Sequence, residues 1–83
     1  MTDTQSTIAR RANNVRQHGG IILTKGGLDI EIRHTPHCEL GQCFVDCPRS
    51  TAQVFGLDTG LWKSIEEAVA HVMGVRWEGT GAA

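Results

Sequence analysis

His34, His37, Cys38, Cys43 and Cys47 put five side chains able to ligate a metal into fourteen residues. Imidazole nitrogens and thiolate sulfurs are the usual donors to tetrahedral zinc, and short-spaced pairs of them build structural sites. Two residues separate His34 from His37, three separate Cys43 from Cys47, and Cys38 lies between the pairs. Such an ion would also staple a chain too short to bury a large core. The same residues suggest a second chemistry, a Cys38 thiol activated by His34 or His37 as a nucleophile pair. No oxyanion-hole motif accompanies them, so no catalytic residues are expected and the chain reads as a non-enzyme.

The elements that position these residues weigh against a shared metal. Residues 42–47 read as a strand stopped by Pro48, with Cys43, Val45 and Cys47 on one face and Gln42, Phe44 and Asp46 on the other. Four residues of extended chain span roughly 13 Å, whereas two sulfurs on one zinc lie within roughly 4 Å of each other. Residues 28–34 alternate strictly: Leu28, Ile30, Ile32 and His34 against Asp29, Glu31 and Arg33. Pairing Ile32 with Val45 sets Ile30 opposite Cys47 and His34 opposite Cys43, so apolar groups and thiols meet on the core face. Free cysteine behaves there as a small hydrophobe. Buried thiols are therefore the leading reading and no cofactor is expected. The zinc alternative shrinks to His34, His37, Cys38 and Cys43, which needs no turn inside the strand.

Other elements follow from spacing. Ile8, Ala12 and Val15 form a helical stripe over 7–18, ended by Gly19 and Gly20. Residues 20–25 read as a strand, and Gly26-Gly27 as a two-residue hairpin turn. A short fourth strand is expected near 53–55 and a turn over 56–60. Ser64 and Glu67 fit a capping box opening a helix with an apolar stripe of Ile65, Ala68, Val69, Val72 and Met73, ended by Gly74. Glu67 and His71 fall on a solvated face of that helix, and 75–77 pack back as a short extended tail. The expected fold is α+β: an antiparallel meander of three or four strands, with an N-terminal helix and a C-terminal amphipathic helix on one face. Residues 1–6 are expected to be disordered, 7–77 to form one domain and 78–83 a loose tail.

Composition narrows the function. The chain has 83 residues and a net charge of −1. Residues 1–33 carry five basic against three acidic side chains, and 34–83 carry three against six, giving +2 and −3. This is a dipolar surface, weaker than the basic stripe of a dedicated DNA binder. Four aromatic residues and no Tyr leave little material for stacking unpaired bases. No membrane-spanning run and no secretory signal are apparent, so the three cysteines read as reduced thiols in a cytoplasmic protein.

His37-Cys38-Glu39-Leu40-Gly41 resembles the start of the phosphate-binding loop of protein tyrosine phosphatases. That motif requires Arg at the position of Phe44, and without a guanidinium it lacks its grip on phosphoryl oxygens. Ser64 to Ala68, following a meander, resembles the strands-then-helix layout of HicB-type antitoxin domains; a common helix start carries no function across.

What remains is a small non-catalytic binding protein acting through protein–protein contacts. It would be a stoichiometric inhibitor or adaptor of the phage or mobile-element type, with anti-CRISPR proteins as one candidate group. Its partner could be a nucleic-acid-binding complex, and homodimers are compatible with the sequence. Glu39, Asp46, Asp58, Glu66 and Glu67 are the acidic contact candidates, and the 34–41 loop the irregular one. Arg10, Arg11 and Arg16 on the first helix form the rival surface, which would give weak nucleic-acid binding.

Overall fold

The computed structural model describes residues 3–35 and 41–79. Helix α1 spans Asp3–His18, and Ile8, Ala12 and Val15 on its apolar stripe are fully buried. It starts four residues before the position its stripe suggests, so the expected disorder of 1–6 does not hold for Asp3 to Ser6. The reason is a tertiary anchor: Gln5 Nε2 donates to the Arg76 carbonyl (2.8 Å), and the Glu78 amide donates to Gln5 Oε1 (3.0 Å). One side-chain amide thus satisfies two main-chain groups of the C-terminal tail.

Strands β1 (Gly20–Lys25) and β2 (Leu28–Arg33) form the expected hairpin. Gly26 and Gly27 have φ of +58° and +79°, the left-handed pair that a two-residue hairpin turn needs. Strand β3 (Cys43–Asp46) pairs antiparallel with β2, with Ile32 opposite Val45. Strand β4 (Gly60–Trp62) adds to β3, completing a four-stranded antiparallel meander in the order β1-β2-β3-β4.

The expected strand at 53–55 is instead part of helix α2, Arg49–Phe55. Pro48 occupies the N-cap without a side-chain cap bond, and Gly56, at φ +65°, donates its N–H to Ala52 O to end the helix. Thr51 is buried and Ala52 and Phe55 pack on the core, at the three-and-four spacing of a helix. Burial on that stripe outweighs the strand preference of Thr51 and Val54.

Helix α3 (Ile65–Met73) begins as its cap residues dictate, with the Glu67 amide donating to Ser64 Oγ at 3.2 Å. Helices α1 and α3 lie side by side on one face of the sheet. Ile8, Ala12 and Val15 from α1, Ile30 and Ile32 from β2, Cys43 and Val45 from β3, and Ile65, Ala68, Val69 and Val72 from α3 form the core. Arg16 reaches from α1 to Glu66 on α3 in a two-pronged ion pair of 2.8 and 2.9 Å.

Deleting a central core side chain should be costly and trimming an exposed one should not. Ile32→Ala should lower unfolding free energy by about 2–5 kcal/mol, and Val54→Ala, at a residue 68% exposed, by under about 0.5 kcal/mol. Urea unfolding of both variants measures the contrast.

Candidate functional site

The residues that looked most chemical divide on the strand that holds them. Cys43 opens β3 and is fully buried; Cys47 lies just past its end and is half-buried against the core. The three steps from Cys43 to Asp46 are extended and cover roughly 10 Å before Cys47 is reached, too far for both sulfurs to grip one ion. His34 donates from Nδ1 to the Gln42 carbonyl at 2.6 Å, bridging the ends of the β2–β3 connection. A carbonyl only accepts, so the proton sits on Nδ1 and only Nε2 is left for other partners. His37 and Cys38, needed for the smaller zinc set, and Glu39 lie outside the described residues. Among the described residues no group of three or more His, Cys, Asp or Glu side chains is placed to hold a metal ion.

The acidic candidates among the described residues do not share a surface. Asp46 stands on the sheet face opposite the helices, while Glu66 and Glu67 open α3 in the helix layer. Asp58 lies between α2 and β4. The basic set is divided too. Arg10 is exposed, and Arg11 is half-buried beside Leu23, Lys25 and Met73 in a shallow groove. Arg16 is committed to Glu66. The strongest acidic–basic contact therefore joins the two rival surfaces to each other rather than facing an outside partner.

His71 does more than line a solvated helix face. Its Nε2 accepts the Asp58 amide (2.9 Å), and its ring lies against Trp62, with centroids 4.8 Å apart. Trp62 Nε1 donates to the Asp58 carbonyl at 3.0 Å. Two side chains thus hold the main chain of Asp58 on both sides, one at its amide and one at its carbonyl, and tie the α2–β4 connection to α3 and the edge strand. Both tryptophans, Trp62 and Trp77, line one open groove of about 380 Å³ with His71, Glu67 and Arg76. Nothing in the spacing of Asp58, Trp62 and His71 could have paired them without knowledge of how α3 docks.

The sheet face that no described element covers is the most distinctive surface. Alternation and the register of β1 to β4 bring Ile22, Thr24, Asp29, Glu31, Arg33, Phe44, Asp46 and Leu61 to it, with Ile22 on the β1 edge and the Phe44–Leu61 pair toward the β4 edge. Phe44 lies directly opposite Leu61, which is 53% exposed. Arg33 stands beside Phe44 on β2, 3.5 Å from the Glu31 carboxylate and 3.8 Å from that of Asp46. An antiparallel sheet with one wet face normally carries polar groups there. Here a Phe–Leu pair borders three carboxylates and one guanidinium.

Comparison with protein-family models, curated proteins and solved structures finds no match to this chain. Among the described residues no helix is long and apolar enough to cross a membrane.

Two outcomes test this geometry. Chelator treatment of protein purified without a metal-affinity tag should leave the thermal midpoint unchanged; a fall that zinc reverses would restore the His34, His37, Cys38 and Cys43 set. His71→Ala should lower stability by about 1 kcal/mol, through loss of one hydrogen bond and a ring contact. It should also shift Trp62 fluorescence, read in a Trp77→Phe background.

Proposed function

We propose that this protein is a non-catalytic binding module whose contact surface is the open sheet face centred on Phe44 and Leu61. The supporting observation is the composition of that face: a half-buried aromatic and an exposed leucine side by side on the one sheet surface no described element covers. Exposed apolar groups within a polar surround are the usual anatomy of a protein contact, an apolar centre ringed by charge. The surround carries three carboxylates, Asp29, Glu31 and Asp46, against Arg33, so it favours a partner with a basic rim. An inhibitor or adaptor that occupies the basic surface of a nucleic-acid-binding complex is the mode of action this chemistry suits. Arg10 and Arg11 alone, with Arg16 neutralised by Glu66, make a poor phosphate-binding row.

The test pairs capture with a variant. Leu61 is exposed, so Leu61→Glu should keep the circular dichroism spectrum of the parent. It should weaken capture of the partner taken from native-host extract by at least about tenfold, about 1.4 kcal/mol. Retention in Leu61→Glu combined with loss in Arg10→Ala/Arg11→Ala would move the contact to α1 and end the open-face reading.

A further inference from the structure

Strand β1 forms one edge of the sheet and, among the described residues, pairs with β2 alone. The bonding phase along it is set at its start, where the His34 amide donates to Gly19 O. Bonded pairs recur at every second residue of an antiparallel ladder. Ile21, Leu23 and Lys25 therefore bond to β2, and Gly20, Ile22 and Thr24 direct their main-chain groups away from the sheet. Proteins usually guard such an edge with proline, a bulge, a very short strand or an outward lysine. The opposite edge, β4, is only three residues long. Strand β1 has six residues and no proline, and its ladder to β2 runs unbroken. Its one charge does not guard it, because Lys25 turns inward, donates to the Val72 carbonyl (3.1 Å) and lies over the Phe55 ring.

We propose that the β1 edge pairs antiparallel with the β1 edge of a second copy, with Ile22 at the two-fold axis. The sequence of the strand is self-complementary in that register. Ile22, 62% exposed in the single chain, meets its own copy on the open face. Gly20 meets Thr24, and on the helix-bearing face Ile21 meets Leu23, both half-buried. No charged side chain of β1 faces another; Lys25 falls opposite Gly19. The nearest like charges on the shared face are the two Glu31 carboxylates, three strand spacings apart. At roughly 14 Å they are beyond the ~8 Å screening length of physiological salt. The contact is separate from the Phe44–Leu61 surface, which lies toward the other edge, and the joined sheet would carry two such surfaces.

Sedimentation equilibrium of the full chain tests the proposal. The parent should show a reversible monomer–dimer equilibrium. Ile22→Lys should fold, since Glu31 lies opposite position 22 within one chain, and should weaken association by at least about tenfold, because two ammonium groups would meet at the axis. Amide exchange supplies an independent reading: the Ile22 and Thr24 amides should be protected in concentrated parent protein and lose that protection on dilution. A strictly monomeric parent overturns the proposal, and so does an Ile22→Lys dimer as tight as the parent. Should Ile22→Lys fail to fold, the concentration dependence of those two amides decides alone: its presence supports the edge pairing, its absence rejects it.

Discussion

The pairing of Ile32 with Val45 is the contact on which the remaining structure depends. Side chains alternate along a strand, so this single register sends Ile30, Ile32, Cys43 and Val45 to one face and Glu31, Arg33, Phe44 and Asp46 to the other. A slip of one residue would bury charges and expose the core. The register also decides the fate of the thiols: extended backbone at Cys43 keeps its sulfur inside and distant from Cys47. It is supported beyond the strand ends by the His34 bond to Gln42, which ties the two sides of the β2–β3 connection together.

On that platform the helix layer closes both the core and the chain ends. Helices α1 and α3 cover the inner face, and the Arg16–Glu66 pair spans the seam between them. Partly exposed ion pairs of this kind contribute little to stability. The larger consequence is for charge distribution. A chain that reads as basic in its first part and acidic in its second folds so that α1 and the start of α3 are neighbours, and part of the asymmetry is neutralised internally. The Gln5 bridge to Arg76 and Glu78 joins segments more than seventy residues apart in sequence and orders the beginning of α1.

Legibility in the sequence tracks how local each determinant is. The α3 start was readable because Ser64 and Glu67 carry their own bond. The β1–β2 hairpin was readable because two glycines supply the positive φ angles of its turn. Helix α2 was not: it is seven residues long, has no side-chain cap, and contains Thr51 and Val54, which favour strands. Strand β4 is too short to show a period. For the functional surface, Phe44 could be assigned to the outward face from alternation alone. Leu61 could not be placed beside it, because that neighbour comes from the β3–β4 pairing.

Sequence by itself determined the α+β class, the inward set of β2 and β3 and the boundaries of α3, since periodicity and capping act over a few residues. Tertiary structure alone decided that 49–55 coil into a helix, that Arg16 spends its charge on Glu66, that His71 accepts the Asp58 amide, and that the half-buried Phe44 lies beside the exposed Leu61. Each of these depends on groups distant in the chain meeting in space, and burial at such meetings outweighs local preference.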